Sequence, residues 1–323
     1  MKIGVFSDWH IHRYRAFSSY PDERLNIVLS LFTNLIEHIE DNVSTWIFAG
    51  DLYDQQKVLP IQVVNQTLFE FKRLFTKYPE VVIYAISGNH DYATTNTLHD
   101  PASTSLFHLS VLFPDNFILI DNDTKAIPNT DLTVTGIPYY DDPQEFDRAY
   151  TAQVDKLDQV NSNSILVIHQ TPSGISNGII EADVQVSDFS DWGMVFCGHI
   201  HGRQQITDNF LVVGSPMHHN AGDIGTKKGF TFFDSTNIRE LEFLPLTNFP
   251  SFVREGQEGI TPQDYVIPAK ATLATAGSDL PMSSTIDTRF MGNDKKELIS
   301  NYLSEIGIED DDLLAVGLNL IHK

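Results

Sequence analysis

The sequence predicts an α/β fold in which two β-sheets pack face to face as an αββα sandwich, followed by a short C-terminal cap or linker and a helical pair. Two observations carry this prediction. The first 245 residues alternate strand-like and helix-like segments at the start and contain mostly strand-like segments later. The strand-like segments are apolar along their whole length, as in strands buried on both faces. We expect one domain at 1–245, a linker or reduced cap at 246–292 and the helical pair at 293–323.

The individual elements follow from the spacing of apolar residues. Ile3 to Ser7 is an apolar run that ends in polar residues, which predicts the first strand. From Leu25 to Ile39, apolar residues recur at steps of three and four, which predicts a helix with one apolar stripe. Further helices are predicted over 61–75 and around 143–159. The remaining strands are predicted at 46–49, 81–86, 117–121, 132–137, 164–168, 194–197, 210–213 and 229–233.

The C-terminal part of the chain differs in character. Between about 248 and 292 it is rich in proline, glycine and small polar residues and shows weak periodicity, which predicts a linker or an irregular cap. Two helices are predicted after residue 293, with a break at Gly307. This pair carries more apolar surface than so small a unit can bury alone. It either packs on its own main domain or docks on a partner.

The balance of charges restricts the partners. Acidic residues outnumber basic ones by 43 to 21, and the net charge is −22. The average field of such a protein repels a polyanion, which argues against loose binding of nucleic acid over the whole surface. A bound metal cluster and a local basic rim can reverse the sign of the field where it matters.

Cysteine and hydrophobic content restrict the class of protein further. Cys197 is the only cysteine, so an intrachain disulfide and a thiolate metal site are both excluded. Any metal must therefore be held by Asp, Glu, Asn or the 12 His residues. The chain has no apolar stretch near the ~20 residues that span a bilayer and no secretory pattern at its start. We expect a cytoplasmic protein without membrane contact, or one in the host cytoplasm if a phage encodes it.

Five polar clusters, each directly after a predicted strand, carry the chemistry. In open α/β folds, functional sites form beyond the carboxyl ends of strands, so separate strands can deliver side chains to one place. Each cluster is a weak signal by itself, whereas all five in this order are not expected by chance. The clusters are Asp8-Trp9-His10, Gly50-Asp51-Leu52-Tyr53-Asp54, Gly88-Asn89-His90-Asp91, His169 and Gly198-His199-Ile200-His201.

The residue types in these clusters suit a pair of divalent cations. Cleavage of a phosphodiester at neutral pH requires neutralised phosphoryl oxygens and a supply of hydroxide, and two ions about 3.5–4 Å apart provide both. Mixed imidazole and carboxylate donors suit Mn²⁺, Fe or Zn²⁺ rather than Ca²⁺. With Asp8 and Asp51 as the only anionic ligands, the charge of two divalent ions is not cancelled, and the site stays positive for a phosphate.

The order of the five clusters resembles the calcineurin-like metallophosphoesterase superfamily over roughly residues 1–235. The resemblance implies that His90 lies near the scissile phosphate, where it stabilises transition-state charge or protonates the leaving oxygen, and that Asp91 orients it. Asp54 is a candidate for a place behind the metal ligands. Asp51 would bridge the two metals. The implied ligands are Asp8, His10, Asp51 and His201 for the first metal, completed at the second metal by Asn89, His169 and His199.

Closer features resemble SbcD-type DNA repair nucleases and the recombination endonuclease subunits of large phages. They are Ser7-Asp8-Trp9-His10, the form Gly50-Asp51-Leu52-Tyr53-Asp54, and the loops Val213-Gly214-Ser215-Pro216 and Asn220-Ala221-Gly222-Asp223. This resemblance implies an Mn²⁺-dependent exonuclease or endonuclease that cleaves DNA in repair or recombination by two-metal-activated hydroxide attack. It also implies an SbcC-like coiled-coil ATPase subunit that binds the C-terminal helical pair, and a homodimer formed through 61–75 and 103–113.

Basic residues close to the clusters are candidates for a rim that binds phosphate or DNA, with ordinary solvated charges as the alternative. These candidates are Arg13, Arg15, Arg203, Lys227 and Lys228. His12 is expected to point away from His10, and His218 and His219 are expected to line the cleft rather than bind metal.

Two other functions stay open. A phosphatase or cyclic-nucleotide phosphodiesterase would use the same metals, and the acidic composition favours it because small substrates need no extended basic groove. A metal-poor scaffold that kept the fold for protein binding is disfavoured, because every expected ligand and His90 are present.

Overall fold

Two six-stranded mixed sheets form the centre of the fold. The computed structural model describes residues 1–14, 18, 22–40, 42–54, 58–92, 101–157, 159–175, 182–261 and 263–267. Its helices are α1 (Glu23–Leu29), α2 (Leu31–Glu40), α3 (Ile61–Lys77), α4 (Phe107–Leu112) and α5 (Pro143–Val154). Its strands are β1 (Lys2–Phe6), β2 (Thr45–Phe48), β3 (Val82–Ala85), β4 (Phe117–Leu119), β5 (Asp123–Ala126), β6 (Thr133–Ile137), β7 (Ser164–Ile168), β8 (Met194–Cys197), β9 (Gln204–Thr207), β10 (Phe210–Val212), β11 (Gly229–Asp234), β12 (Asn237–Pro245), β13 (Phe252–Arg254) and β14 (Tyr265–Ile267).

The strand order places the carboxyl ends of the parallel strands together. The first sheet has the order β12-β11-β1-β2-β3-β4, in which β1 to β4 are parallel and β11 is antiparallel to β1. The second has the order β5-β6-β7-β8-β10-β9, in which β6, β7, β8 and β10 are parallel and the two edge strands are antiparallel. In each sheet, the carboxyl ends of the parallel strands therefore lie on the same side.

Three apolar layers hold the sheets and helices together. Between the sheets, Val5 and Ile47 of the first sheet pack in one cluster with Val167 and Phe196 of the second. The outer face of the first sheet packs with α1 to α4 in a cluster that includes Phe32, Trp46 and Phe71. The outer face of the second sheet packs with α5 around residues such as Phe146 and Trp192. These layers make the αββα sandwich that the sequence predicts.

The apolar stripe from Leu25 to Ile39 forms two helices rather than the single helix predicted. Ser30 separates α1 from α2, and its hydroxyl donates a hydrogen bond of 2.6 Å to the carbonyl of Ile27. A serine hydroxyl competes for backbone carbonyls in this way and favours turns over helix interiors. Since the stripe continues across the turn, its apolar side chains still pack on the first sheet.

The strands that the sequence analysis missed include the sheet edges β5, β9 and β12. The burial of β12 is interrupted along its length by exposed residues, and β9 alternates between half-buried and exposed residues. Strands with one solvated face lack the continuous apolar run on which the other strands were predicted. Neighbouring strands, and not local composition, make these segments extended.

The described part of the segment predicted as a linker or reduced cap is folded. Strands β13 and β14 pair in parallel, and Phe252, Tyr265 and Ile267 pack with Ala221 in a small apolar cluster. Residues 268–323, which include the predicted helical pair at 293–323, lie outside the described residues. Among the helices that the structure does describe, none combines the length and the apolar character needed to cross a membrane.

Candidate metal centre

The five polar clusters lie at the carboxyl ends of β1, β2, β3, β7 and β8. Contacts between the loops join the two sheets at this point. The Nδ1 of His169 lies 2.7 Å from the carbonyl oxygen of Ala49, and the backbone N–H of His199 donates to Oδ1 of Asp8 at 3.2 Å. His169 and His199 belong to the second sheet, whereas Ala49 and Asp8 follow strands of the first. The packing of the sheets therefore brings distant clusters into one site.

A first group of potential ligands consists of Asp8, His10 and His201, whose ligand atoms lie within 4.8 Å of one another. The Nε2 atoms of His10 and His201 are 3.0 Å apart. Oδ1 of Asp8 is 3.8 Å from Nε2 of His10. The two imidazoles and the carboxylate thus point at a shared volume.

A second group consists of Asp51, His169 and His199, again with ligand atoms within 4.8 Å of one another. Asn89 completes it, because its Oδ1 lies 3.1 Å from Nε2 of His169 and 3.0 Å from Nδ1 of His199. Oδ2 of Asp51 lies 3.2 Å from Nε2 of His169.

Asp51 lies between the two groups. The same Oδ2 atom that faces His169 is also 3.6 Å from Nε2 of His10 in the first group. The structure thus brings together all seven side chains that the sequence analysis named as ligands, with Asp51 in the position of a bridge.

The chemistry of this donor set fits divalent cations. Oδ2 of Asp8 is buried and makes no hydrogen bond within the described part of the chain. An unpaired carboxylate oxygen in the interior is costly unless a cation compensates it. The facing Nε2 atoms of His10 and His201 give a second reason, since a metal coordinated by both rings would use both lone pairs.

The electrostatics of the histidines agree with a ligand role. Burial lowers the pKa of His10, and burial followed by the proximity of His169 lowers the pKa of His199 to about 3. Both rings are therefore neutral at pH 7, which is the form that binds metals. Burial also acts to lower the pKa of His169, but the Asp51 carboxylate outweighs it and the pKa rises to about 9. The pair attracts a proton as it would attract a divalent cation.

The backbone at the ligands is held in uncommon conformations. Four of them have positive φ angles without being glycine: Asp8 at 53°, His10 at 47°, Asp51 at 61° and His199 at 79°. Such conformations persist where the surrounding structure determines them, and they concentrate at functional sites.

Glycine at position 88 is required by the close approach of the Asp51 carboxylate. A Cβ atom added at Gly88 would overlap Oδ1 of Asp51, and the backbone N–H of Gly88 lies 3.0 Å from the Asp91 carboxylate. We expect Gly88→Ala to lower the free energy of unfolding by about 1–3 kcal/mol, as overpacking does. We also expect it to weaken metal binding, because Asp51 must move. Urea unfolding and a metal titration would measure both effects.

Gly202→Ala is a matched control for that variant. Gly202 follows the ligand His201, but the nearest atom to its added Cβ would be a methyl carbon of Thr226 at 3.3 Å. Equal losses in both variants would contradict the steric explanation.

His90 lies at the edge of the first group. Its ring centroid is 4.8 Å from that of His10, and its Nδ1 lies 2.5 Å from the carbonyl oxygen of Asp54. Its backbone N–H donates to Oδ1 of Asp51 at 2.8 Å. Burial acts to lower the pKa of His90, but the carboxylates of Asp51 and Asp54 outweigh it and raise the pKa above its ordinary value.

The role predicted for Asp91 is corrected by the structure. Its carboxylate accepts hydrogen bonds from the backbone N–H groups of Asp51 (2.8 Å), Leu52 (3.1 Å) and Gly88 (3.0 Å). The ring of His90 is held by the Asp54 carbonyl instead. Asp91 therefore joins two ligand-bearing loops through their backbones and does not orient the His90 ring.

Asp54 lies behind His10, with Oδ1 at 3.5 Å from Nδ1 of that ring. Because Nε2 of His10 faces the ligand group, this places a carboxylate on the opposite nitrogen. Nδ1 of His10 makes no hydrogen bond within the described residues, so the Asp54 carboxylate acts on this ring through its negative charge, which favours a cation at the opposite nitrogen.

The structure contradicts the predicted basic rim at Lys228, and it compensates the charge of Arg13. Lys228 is buried, and its Nζ forms an ion pair with Asp223 at 2.6 Å, because a buried ammonium needs a counter-charge. Arg203 is half-buried, with its guanidinium 4.7 Å over the ring of Phe243 in the edge strand β12. Arg13 forms an ion pair with Asp22 at 2.5 Å, which compensates its charge. Lys227 is exposed as predicted, and Arg15 lies outside the described residues.

Two residues near the first group were not recognised as important from the sequence. Asp223 has Oδ1 at 3.4 Å from Nδ1 of His201, and Nε2 of His219 lies 2.9 Å from the carbonyl oxygen of Asp8. The loop that carries both was noted, but nothing in its local pattern shows which ligands it contacts. His218 is engaged elsewhere, since its Nδ1 accepts from the N–H of Phe252 at 3.1 Å.

A buried carboxylate at Asp121 supports the loop that carries Asn89 and His90. It accepts hydrogen bonds from the N–H (2.8 Å) and hydroxyl (2.7 Å) of Ser87 and from the hydroxyl of Tyr92 (3.2 Å). Burial raises the pKa of Asp121 from 3.8 to about 6. The folded state therefore binds this proton more tightly than the unfolded state, and the stability it contributes at low pH is lost as the pH rises through 6.

We expect Asp121→Asn to remove this loss, because the amide is neutral at every pH. Between pH 5 and pH 8 the wild-type chain should lose about 1 kcal/mol of unfolding free energy relative to the variant. Urea unfolding at the two pH values measures the difference, and Asp115→Asn at an exposed position is the control. If the difference in unfolding free energy between wild type and Asp121→Asn is the same at both pH values, the raised pKa of Asp121 is contradicted.

Comparisons with known proteins agree with this arrangement. The family model for calcineurin-like phosphoesterases matches residues 1–203, a span that contains all seven ligand candidates. A protein of Invertebrate iridescent virus 3, described as a candidate phosphoesterase, is 27% identical over 176 residues, which is 54% of this chain and 48% of the viral one. The chain thus spans about half the length of this curated relative.

Two solved structures show a weaker likeness. A candidate 5'-nucleotidase of Staphylococcus aureus, solved with alpha-ketoglutarate, has a TM-score of 0.44 and 12% identity, over 76% of this chain and 54% of its own. The calcineurin-like phosphoesterase YfkN of Bacillus subtilis has a TM-score of 0.37 and 12% identity, over 72% and 83%. The family model covers more than half of the chain and every ligand-bearing loop. This chain therefore belongs to the calcineurin-like phosphoesterase family, whose members bind divalent metals and hydrolyse phosphoesters.

Proposed function

We propose that this chain hydrolyses phosphodiesters with two divalent metal ions, and that DNA is its substrate. The observation that carries the reaction type is the convergence of two ligand groups that share Asp51, with His90 at their edge. The first ion would be held by Asp8, His10, Asp51 and His201, and the second by Asp51, Asn89, His169 and His199.

The donor set leaves the site positive for a phosphate. When bound, two divalent ions neutralise phosphoryl oxygens and lower the pKa of a water molecule. The imidazoles and the Asn89 amide add no charge, so Asp8 and Asp51 are the only anions among the seven side chains. Mixed nitrogen and oxygen donors suit Mn²⁺, Fe or Zn²⁺, and among these the resemblance to SbcD-type nucleases favours Mn²⁺.

We propose that His90 acts on the substrate. Its Nδ1 is held on the Asp54 carbonyl at 2.5 Å, so Nε2 is the nitrogen that can reach a phosphate. From there, Nε2–H donates to a phosphoryl oxygen or transfers its proton to the leaving oxygen.

The proposal that DNA is the substrate rests on the resemblance to SbcD-type nucleases and on a partner subunit that would supply the basic DNA surface. Trp9, part of the motif that carries the resemblance, is buried with its ring 5.0 Å from Phe6 and 4.8 Å from Phe32, so it serves the core. Among the residues that the structure describes, few basic side chains near the site are uncompensated. We therefore propose that an SbcC-like coiled-coil ATPase subunit supplies the basic DNA surface and binds the segment at 293–323, outside the described residues.

An exposed apolar surface on α3 and α4 supports a homodimer. Ile61 and Phe69 of α3 are 72% and 65% exposed, and Val111 of α4 is 60% exposed. The end of α4 approaches α3, since the ring centroids of Phe75 in α3 and of Phe113, the residue after α4, are 5.2 Å apart. Exposed apolar patches of this kind mark interaction sites.

We expect Phe69→Glu to weaken self-association at least about tenfold, because a charge would replace an apolar side chain at the interface. Sedimentation velocity over a range of concentrations measures the effect. Glu70→Gln, a polar change next to it on the same helix, is the control. A wild-type chain that is monomeric at every concentration would contradict the dimer.

A second candidate substrate is a small phosphodiester or a phosphomonoester. The ion pairs Arg13–Asp22 and Lys228–Asp223 favour it, because they compensate two of the described positive charges that an extended polyanion would need. Small substrates need only the metals and His90.

Initial rates with Mn²⁺ separate these candidates. We expect cleavage of linear double-stranded or single-stranded DNA, by the chain alone or with the ATPase subunit, at rates above those for bis-p-nitrophenyl phosphate and p-nitrophenyl phosphate. A much higher rate on the small diester or monoester would favour the second candidate. Fewer than one bound ion per chain in a metal analysis would remove both and revive the scaffold hypothesis.

A further inference from the structure

A buried ion pair lies directly behind one of the candidate metal ligands. Nζ of Lys228 is 2.6 Å from Oδ1 of Asp223, and the two side chains are 4% and 2% exposed. The same carboxylate oxygen is 3.4 Å from Nδ1 of His201. Nζ of Lys228 also donates to the carbonyl oxygen of His201 at 2.8 Å and to the hydroxyl of Ser215 at 2.6 Å. Ring and backbone of His201 are therefore both held by this pair.

The second oxygen of the carboxylate connects the pair to another ligand. Oδ2 of Asp223 accepts from the backbone N–H groups of His219 at 2.8 Å and Asn220 at 3.1 Å. The ring of His219 in turn has Nε2 at 2.9 Å from the carbonyl oxygen of Asp8. One ion pair thus supports His201 directly and Asp8 through one intermediate residue.

The second ligand group is supported differently. Nδ1 of His169 is held by the carbonyl oxygen of Ala49 at 2.7 Å, and Nδ1 of His199 lies 3.0 Å from Oδ1 of Asn89. Neither ring is contacted by Asp223 or Lys228. The ion pair is therefore placed to act on one of the two candidate metal sites.

We propose that Asp223 and Lys228 are positioning residues of the first metal site. They hold His201 so that its Nε2 stays 3.0 Å from Nε2 of His10, ready to share an ion. Because Lys228 cancels the charge of Asp223, the pair orients the ligand without adding net charge beside it. The inference rests on the proposed metal centre.

Two variants with opposite electrostatic effects test positioning. Asp223→Asn keeps the shape and removes a negative charge, whereas Lys228→Met removes a positive charge. We expect both to weaken Mn²⁺ binding at one of two sites by about 10–100-fold, the usual effect of losing a partner behind a ligand, and to leave the other site unchanged. Isothermal titration of the full chain with Mn²⁺ measures both affinities.

Lys228→Met decides between positioning and charge. If nothing else changes, removing the positive charge of Lys228 strengthens the binding of a nearby Mn²⁺ ion, because the repulsion between the two is lost. An unchanged or tighter first site in this variant would therefore overturn the proposal. Lys227→Met, at the exposed neighbouring position, is the matched control and should bind both ions as the wild-type chain does. Should Lys228→Met fail to fold, the near-isosteric Asp223→Asn carries the test, and unchanged binding there would overturn the proposal equally.

Double variants show which site is affected. The loss of Mn²⁺-binding free energy in Asp223→Asn should not add to the loss in His201→Ala, because the two residues belong to one network. It should add to the loss in His199→Ala, which lies outside that network. Additivity with both would overturn the assignment to the first site. A wild-type chain that binds fewer than two ions would overturn the proposed metal centre itself. Because the wild type is titrated separately, this outcome is distinguished from a failure of the positioning proposal, which only the variants test.

Discussion

Asp51→Asn is expected to lose at least about 10³-fold in kcat/KM on a phosphodiester, which corresponds to about 4 kcal/mol of transition-state stabilisation. The reason is its place between the two groups, where one carboxylate oxygen lies 3.6 Å from Nε2 of His10 and 3.2 Å from Nε2 of His169. Asparagine has nearly the same size and can still accept the hydrogen bond from the N–H of His90. It lacks the negative charge that two cations would share.

Metal content distinguishes this loss from a general defect. We expect elemental analysis after dialysis against Mn²⁺ to show at least one ion fewer per chain in Asp51→Asn than in the wild type. Asp131→Asn is the control, since it removes the same charge from an exposed carboxylate at the amino end of β6, opposite the site. Wild-type metal content and rate in Asp51→Asn would contradict its place as the bridge.

His90→Gln is expected to lower kcat by about 10²–10⁴-fold while both ions stay bound. His90 is not one of the seven ligand candidates, and its ring is fixed by a backbone carbonyl instead. If Nε2 protonates the leaving oxygen, the loss should be large for DNA, whose leaving oxygen is a poor one, and small for a nitrophenolate ester. If Nε2 stabilises charge on the phosphoryl group, the loss should be similar for both substrates.

The leaving-group comparison therefore decides between the two roles proposed for His90. His38→Gln, in the outer helix layer, is a control for general effects of losing an imidazole. Loss of a bound ion in His90→Gln would show that His90 is a ligand. His90 could be a ligand together with His10 and Asp54, because the potential ligand atoms of these three side chains lie within 4.8 Å of one another.

Much of the fold could be predicted from local sequence because its central strands are buried on both faces. β7 (Ser164–Ile168) and β8 (Met194–Cys197) are continuous apolar runs, and the structure places them where the pattern predicts. Edge strands such as β9 (Gln204–Thr207) carry no comparable run, since one of their faces meets solvent. Their extended form depends on pairing with a neighbour that local sequence does not specify.

The candidate ligands were recognisable from the sequence because each follows a strand whose apolar pattern is itself recognisable. The carboxyl ends of parallel strands lie together in a sheet, so the positions of Asp8, Asp51 and Asn89 after β1, β2 and β3 already imply that they converge. What the residues bind follows from their donor atoms. The sequence by itself therefore determined the type of fold, the place of the site and the class of chemistry.

Only the tertiary structure decided which charged residues are free to meet a substrate. Lys228 looks like a solvent-exposed lysine beside Lys227, yet it is buried on Asp223 and His201, whereas Lys227 is exposed. Arg13 is likewise compensated by Asp22. A charge is solvated or paired according to what the rest of the chain packs against it, and those neighbours come from separate loops. Local pattern cannot supply that information, because burial is a property of the whole fold.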